Sequence, residues 1–305
     1  MAISAATQPI GLQNLGTITL RSGDNDAKRL WGGSVRPTLS GTPVKELQAA
    51  LIALGTLTFA ADGQFGAHTQ QGLKRFQWYI NNLRRRLKLP SGSPPSSGII
   101  SDYPAANTGT PGMCSAQTAA LIQEWQTGNF VTTSPLVRLN IAPLSNVDTA
   151  DTFETLTYPS AKDGEVLVHE DFAGALSGAM NDEAKRAGVM LRINQTFRRE
   201  GVPPTGAVVP PATRSQHLVG HAVDLNIVDG DTVNTSDMFK NGTETDDADK
   251  LIAAVKANGL RWGGDFSKVD PPHFDDFLDP NSENYDMTFF FAQRCFEKQH
   301  PMRQV

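Results

Sequence analysis

The spacing of apolar residues changes midway along the chain, and this change constrains the fold more than any other feature of the sequence. Between residues 44 and 54, apolar side chains recur every three or four positions, which is the spacing of one face of an α-helix. Between residues 222 and 228, apolar and polar side chains alternate, which is typical of a β-strand with one buried face. The two patterns predict a helical first domain and a second domain of mixed helices and strands.

Local composition sets the predicted domain boundaries. At roughly 100–200 residues per domain, a chain of 305 residues has room for two domains. The order helix, strand, strand, helix in the second half predicts an α+β domain. Thr42 is a candidate N-cap for the first helix, and the acidic segment 229–247 is expected to be a surface loop. The predicted parts are an extended lead-in (1–40), a helical domain (43–130), a linker (131–160) and an α+β domain (161–305).

Overall composition excludes several classes of protein. The formal net charge is −5, whereas a protein that wraps nucleic acid needs a basic face, so no nucleic-acid partner is expected. No apolar run approaches the roughly 18 residues of a membrane span, so no membrane partner is expected either. The first residues carry neither a basic nor an apolar segment of a signal peptide, which predicts synthesis in the cytoplasm without one. Cys114 and Cys295 are expected to be free thiols, and the chain is expected to be a monomer.

Three short motifs occur in order along the helical domain. They are the pair LQ at 47–48, the turn DGQFG at 62–66 and the pair FQ at 76–77. In this order they resemble the peptidoglycan-binding module found on many cell-wall enzymes. The resemblance implies a three-helix bundle that binds peptidoglycan, and a generic bundle without a ligand is the alternative. Trp78 and Tyr79 are candidates to stack on sugar or to pack against the following loop.

The second half contains a set of residues suited to binding zinc. Catalytic zinc takes three nitrogen or oxygen ligands and leaves one position open. His217 and Asp224 flank a glycine-containing turn into the predicted strand, and His273 follows a rigid Pro-Pro pair. These residues supply two imidazoles and one carboxylate. Asp270, three residues before His273, can orient and deprotonate the attacking water, and Asp265 is the alternative carboxylate for this role.

The neighbouring residues leave alternatives open. His217 and His221 are four residues apart and would share one face of a helix, which makes them an alternative ligand pair. The alternation after His221 favours a strand instead, with Asp224 facing the site and His221 turned away. Ser215 is a candidate to hydrogen-bond the substrate or to shape the turn, and Trp262 is a candidate to line the cleft or to pack in the core.

The pattern Ser-x-His-x-x-Gly-x-Ala-x-Asp that starts at Ser215, followed downstream by Asp-x-x-His, resembles the zinc peptidases that cut bacterial wall peptides. This group includes D-Ala-D-Ala carboxypeptidases and dipeptidases and the L-alanyl-D-glutamate endopeptidases of phage endolysins. The resemblance implies a zinc peptidase domain with a small antiparallel sheet flanked by helices. It also implies that Asp270 is the catalytic carboxylate and that Arg198 steadies the substrate carbonyl and the tetrahedral oxyanion. The implied zinc ligands are His217, Asp224 and His273.

The run WGGDF at 262–266 resembles the endolysin branch. It implies a zinc-dependent peptidoglycan hydrolase that cleaves the L-alanyl-D-glutamate bond. One alternative is a D,D-carboxypeptidase that removes terminal D-Ala, and another is a non-catalytic, zinc-containing wall-binding protein. The sequence leaves open whether the chain reaches the wall through a holin-type release or through delivery by a secretion machine.

Overall fold

The computed structural model describes residues 19–31, 34–35, 41–83, 112–150, 153, 164–178, 182–204, 210–294 and 302–304. The chain divides into two units, Met1–Thr132 and Thr133–Val305. No helix in these described ranges has the length and apolar character that crossing a membrane requires. Cys114 is buried and forms no disulfide bond with another described residue, whereas Cys295 lies outside the described residues.

The described part of the first unit holds three α-helices and a short antiparallel strand pair. Helix α2 continues as one π-helical turn, Tyr79–Leu83. In chain order the elements are β1 (Leu30–Trp31), β2 (Ser34–Val35), α1 (Pro43–Leu54), α2 (Ala67–Trp78) and α3 (Ala116–Thr127).

A cluster of aromatic side chains forms part of the core between these helices. The indole of Trp125 meets the rings of Phe76, Tyr79 and Phe130 edge-on, with ring centroids 5.7, 5.8 and 6.0 Å away. Trp78 and Tyr79 are only 3% and 1% exposed. The suggestion that these two residues stack on sugar is therefore wrong, because both pack in the interior.

The lead-in is part of the first unit over its described length. The carboxylate of Asp26 accepts hydrogen bonds from the backbone N–H groups of Val44 and Lys45 at 3.1 and 2.9 Å, and from the Trp31 indole at 3.2 Å. Thr42 makes no side-chain cap hydrogen bond. Asp26 therefore satisfies the free N–H groups at the start of α1, the role that the sequence suggested for Thr42.

The glutamines of the LQ and FQ pairs are buried, and each forms hydrogen bonds with a neighbouring turn or loop. Nε2 of Gln48 donates to Oδ1 of Asp62 and to Oγ1 of Thr69, both at 2.8 Å, and its Oε1 accepts from the N–H of Gly63 at 2.8 Å. Gln77 likewise donates to and accepts from backbone groups of the segment that leads into α3. Each glutamine thus fixes one turn of the module from the interior of a helix.

The second unit contains nine strands and five α-helices in the described residues. Its strands are β3 (Leu136–Asn140), β4 (Val147–Thr149), β5 (Glu165–His169), β6 (Met190–Gln195), β7 (Ala222–Asp229), β8 (Thr232–Asn234), β9 (Arg261–Trp262), β10 (His273–Asp275) and β11 (Met302–Gln304). Its helices are α4 (Glu170–Gly178), α5 (Ala184–Ala187), α6 (Ser236–Asn241), α7 (Asp246–Ala257) and α8 (Glu283–Arg294).

The strands form two sheets instead of one small antiparallel sheet. The larger has the order β4-β6-β7-β10-β9 with β8 beside β7, and the smaller has the order β11-β3-β5. Most neighbours are antiparallel, but β4 pairs with β6 and β11 pairs with β3 in parallel. The prediction of mixed helices and strands is confirmed, and the prediction of a single antiparallel sheet is corrected.

Two segments that were expected to be irregular are structured. Residues 131–160 contain β3 and β4, which pair with β5 and β6, so this segment belongs to the second unit over much of its described length. The expected acidic loop at 229–247 contains β8, α6 and the start of α7. Thr235 and Thr245 accept hydrogen bonds that cap these two helices, which explains how so polar a segment forms helices.

Alternation along β7 builds both the core and the site. Val223 is fully buried in the core and pairs with Phe274 of β10. The next position, Asp224, points to the opposite face and pairs with His273. The strand predicted at 222–228 is confirmed. Its polar face carries Asp224, one of the three expected zinc ligands, and the paired strand β10 carries a second, His273.

Candidate metal centre and substrate cleft

His217, Asp224 and His273 converge on one point. Nε2 of His217 lies 3.1 Å from Nδ1 of His273 and 3.1 Å from Oδ1 of Asp224. Nδ1 of His273 lies 3.0 Å from Oδ1 of Asp224. The three atoms form a nearly equilateral triangle. Ligands about 2.0–2.1 Å from a tetrahedral zinc ion are separated by about 3.3 Å. The three residues thus fit a zinc ion, since each offers one ligand atom and these atoms all lie within 4.8 Å of one another.

A short turn presents His217 to this point. Residues Gln216–Val219 form a single 3₁₀ turn, and the hydroxyl of Ser215 accepts from the backbone N–H of His217 at its start. The turn ends at Gly220 with φ of +76°, where an added Cβ would lie 2.7 Å from the backbone nitrogen of His169. Glycine is required here by conformation and by space. Ser215 therefore shapes the turn, and it also lines the cleft.

The ring of His217 is oriented from behind. Its Nδ1 lies 2.7 Å from the buried carbonyl oxygen of Thr196, so Nδ1–H donates to that oxygen. This tautomer leaves the lone pair of Nε2 facing Asp224 and His273, as a metal ligand requires.

Electrostatics within the cluster favour a bound positive charge. Burial opposes ionisation of Asp224, but the charges and hydrogen bonds of His217 and then His273 hold its pKa well below its usual range. Burial also disfavours the charged ring of His273, yet hydrogen bonds to Asp224 and Asp275, together with their charges, raise its pKa to about 9. The raised pKa of His273 favours a bound proton in the metal-free cluster, and a divalent cation can replace that proton.

A cleft of about 1080 Å³ lies above the three ligand residues. Asp270 and Arg198, the two expected catalytic residues, line the same cleft. Further polar side chains in its lining are Asn194, Gln195, Asn226, Ser267 and Lys268.

Asp270 is held beside the ligands by a close backbone contact. Its N–H donates to the carbonyl of Gly263 at 2.9 Å, and its own carbonyl accepts from the N–H of His273 at 3.0 Å. An added Cβ on Gly263 would come within 2.1 Å of the Asp270 carbonyl oxygen. Burial, followed by the negative charge of Asp224, raises the pKa of Asp270. A raised pKa suits a carboxylate that must take up and release a proton.

Arg198 is buried next to the turn that carries His217. Its backbone N–H donates to the carbonyl of His217 at 2.9 Å, and its Nη1 donates to Oε1 of Gln195 at 3.1 Å. Its side chain is thereby fixed in the cleft wall, and a fixed cation in a cleft can stabilise negative charge that develops on a substrate.

Three other candidates lie outside the cluster. Trp262 packs beside the core, and its indole donates to the carbonyl of Pro271 at 2.8 Å. Trp262 is not among the described residues that line the cleft. Asp265 forms an exposed ion pair with Lys256 at 2.5 Å. His221 lies 2.7 Å from Asp276 through Nδ1 and is not part of the His/Asp/His group in the described residues.

The C-terminal helix α8 supports the site, a role that the sequence did not indicate. Nε2 of Gln293 donates to the carbonyls of Arg198 and Leu218 at 3.0 and 2.7 Å. The hydroxyl of Tyr285 donates to the carbonyl of Ser215 at 2.9 Å. These bonds join residues 70 to 95 positions apart, so no local pattern could have predicted them.

The fold and the site define a class of protein: an α+β domain with a His/Asp/His group in the lining of a cleft, preceded along the chain by a helical module. Residues 210–276 match a family model described as D-alanyl-D-alanine carboxypeptidase. Residues 40–83 match a model described as a putative peptidoglycan binding domain. The second unit therefore contains a segment that matches this peptidase family, and the first unit contains a segment that matches a peptidoglycan-binding module.

The chain is also similar to individual proteins over part of its length. The chain is 30% identical over 106 residues to a protein of Listeria phage A118 named L-alanyl-D-glutamate peptidase, a match that spans 34% of this chain and 36% of the relative. The chain is also similar, at 24% identity, to the L-Ala D-Glu endopeptidase ChiX of Serratia marcescens. That match covers 35% of this chain and 79% of the solved one, with a TM-score of 0.26.

Proposed function

We propose that this chain is a zinc-dependent peptidase that cleaves the stem peptide of peptidoglycan. The observation that carries the proposal is the triangle of two imidazole nitrogens and one carboxylate oxygen below a cleft. The triangle lies within residues 210–276, the segment that matches the D-alanyl-D-alanine carboxypeptidase family. The proposed zinc ligands are His217, Asp224 and His273.

The residues around the triangle have the types that peptide hydrolysis needs. When bound, zinc polarises the scissile carbonyl and acidifies the attacking water. Asp270 accepts the proton of that water and later delivers it to the leaving amine. Arg198 stabilises the negative charge that develops on the carbonyl oxygen. Because these two side chains line the cleft, we favour an enzyme over a wall-binding protein with a structural zinc.

Our preferred bond is L-alanyl-D-glutamate. In peptidoglycan stems, D-Glu continues through its γ-carboxyl and so keeps a free α-carboxylate next to the scissile amide, as does a terminal D-Ala. A cation beside the scissile bond can therefore bind the carboxylate of either substrate. Room for the rest of the peptide beyond that carboxylate distinguishes the two substrates. A cleft of about 1080 Å³ has room for a continuing chain, and a relative bears the name L-alanyl-D-glutamate peptidase. The family description favours the alternative, a D,D-carboxypeptidase.

Two arginines of the cleft lining are already paired with carboxylates of this chain. Arg214 pairs with Asp286 at 2.6 Å and Arg261 pairs with Asp275 at 2.7 Å. Lys268, an exposed residue of the cleft lining, is a suitable cation for the α-carboxylate of either substrate.

The first unit would hold the enzyme on its substrate. Binding through a tethered module raises the local concentration of the peptidase at the wall without altering its chemistry. We further propose that the chain acts on the wall as a monomer, after holin-type release or delivery by a secretion machine.

Digestion of purified peptidoglycan sacculi tests the enzyme proposal. The zinc-free chain should release no soluble peptide fragments, and one equivalent of zinc should restore release. Asp270→Asn with zinc should remain inactive, whereas Asp265→Asn, which alters an exposed carboxylate outside the cleft, should remain active. Equal release with and without zinc would contradict the proposal.

A further inference from the structure

The two histidines of the triangle are supported by chemically different partners. His217 donates from Nδ1 to a neutral carbonyl oxygen, that of Thr196. Nε2 of His273 instead lies 3.1 Å from Oδ2 of Asp275, a fully buried carboxylate. A hydrogen bond from the outer nitrogen of a ligating histidine fixes its tautomer and ring orientation, and a carboxylate partner also raises the basicity of the ligand.

Arg261 holds that carboxylate in place. Its Nε donates to Oδ1 of Asp275 at 2.9 Å and its Nη2 donates to Oδ2 at 2.7 Å, which is a bidentate pair. Arg261 and Asp275 are also cross-strand partners in the register of β9 and β10. The guanidinium lies over the rings of Phe266 and Phe277, with centroids 4.7 and 5.4 Å away. These contacts immobilise both members of the pair.

We propose that Asp275 and Arg261 are a positioning pair, which aims Nδ1 of His273 at the metal and strengthens metal binding through a chain from guanidinium to carboxylate to imidazole. The inference rests on the proposed zinc site. Arg261 lines the cleft, but this inference assigns it to the support of the metal site and not to the binding of a substrate carboxylate.

The test measures zinc affinity of the full chain by competition with a chromophoric chelator at fixed pH. Asp275→Asn keeps the size of the side chain but removes its charge, and it should weaken zinc binding by about 10- to 100-fold. Arg261→Lys keeps the charge but loses the bidentate geometry, and it should weaken binding by a smaller factor. The visible spectrum of the cobalt-loaded Asp275→Asn chain should also differ from that of the unaltered chain, because the orientation of a ligand has changed.

Glu165→Gln is the matched control. Glu165 pairs with Arg138 at 3.1 Å on the other sheet of the same unit, so this change removes an arginine–carboxylate pair away from the metal. It should leave zinc affinity within twofold of the unaltered chain. Thermal unfolding of each zinc-free chain establishes whether the variant folds. If Asp275→Asn does not fold, the zinc affinity of Arg261→Lys is the test.

The possible results separate this inference from the zinc proposal. An unaltered chain without stoichiometric zinc would overturn the zinc site and the positioning pair together. Unchanged zinc affinity in Asp275→Asn, or an equal loss in Glu165→Gln, would overturn the positioning pair alone. A raised KM in Arg261→Lys with unchanged zinc affinity would show that Arg261 binds substrate instead.

Discussion

Nε2 of His217 and Nδ1 of His273 lie 3.1 Å apart, so the two histidines present different ring nitrogens to the same point. The atom behind each ring determines this choice. The carbonyl of Thr196 engages Nδ1 of His217, and the carboxylate of Asp275 engages Nε2 of His273. Residues outside the triangle therefore determine which ring nitrogens face this point, and Asp224 adds a negative charge that would favour a divalent cation there.

Replacing any one triangle residue by alanine should remove stoichiometric zinc and activity. Each change leaves two protein ligands where catalytic zinc needs three. Metal analysis of the purified variants checks this. His221→Gln is the matched control, because His221 is an equally buried histidine that lies near the triangle in sequence but pairs with Asp276. Full zinc content in any of the three alanine variants would remove that residue from the ligand set.

Asp270→Asn should keep its zinc and its fold but lower kcat by about 10²- to 10⁴-fold, because the proton carrier is lost and no ligand is removed. Steady-state kinetics on a soluble stem peptide, together with metal analysis, check this. Asp265→Asn should stay within a few-fold of the unaltered chain. The reverse result, an active Asp270→Asn and an inactive Asp265→Asn, would transfer the role to Asp265.

Asp270 should titrate above 3.8 in the zinc-free chain, because burial and the charge of Asp224 raise its pKa. For an acid with a raised pKa, ionisation costs folding stability, and this cost appears as the pH rises from 3.8 through the raised value. Carboxyl NMR titration measures the shift. Asp224→Asn should lower the Asp270 pKa by removing the neighbouring negative charge. A pKa that stays constant or rises in this variant would contradict the assigned cause.

A fragment that starts at residue 133 should fold and cleave soluble stem peptides, whereas one that starts at residue 150 should not be stable. The second cut removes β3 and β4, which pair with β5 and β6. The fragment 1–132, which contains the first unit alone, should sediment with insoluble peptidoglycan. Circular dichroism melts and peptide hydrolysis compare the two longer fragments. Equal stability and activity would show that β3 and β4 are dispensable.

Much of the geometry of the candidate metal centre could be predicted from the sequence because it depends on local patterns. The turn glycine and the alternation of β7 place His217 and Asp224, and a Pro-Pro pair precedes His273. Asp275 was missed although the same alternation could have revealed it. It lies two residues after His273 on β10, so the two side chains share one face of the strand.

Other features could not be predicted because they depend on distant contacts or on short elements. Strand β4 has only three residues, too few to show a period. Gln293 reaches Arg198 across 95 residues, and Asp26 caps a helix from 18 residues upstream of Val44. Trp78 and Tyr79 are adjacent and both buried. A π-helical turn begins at Tyr79, and this wider turn changes which side chains face the core.

Mass spectrometry of digested stem peptides tests the central claim most directly. The zinc-loaded chain is incubated with a muramyl peptide that carries the full stem, with Asp270→Asn as the inactive control. Cleavage at L-alanyl-D-glutamate should give a muramyl-L-Ala product and a peptide with a new N-terminal D-Glu and an intact D-Ala end. Release of free D-alanine, with no muramyl-L-Ala product, would contradict this account and assign the enzyme to the D,D-carboxypeptidases.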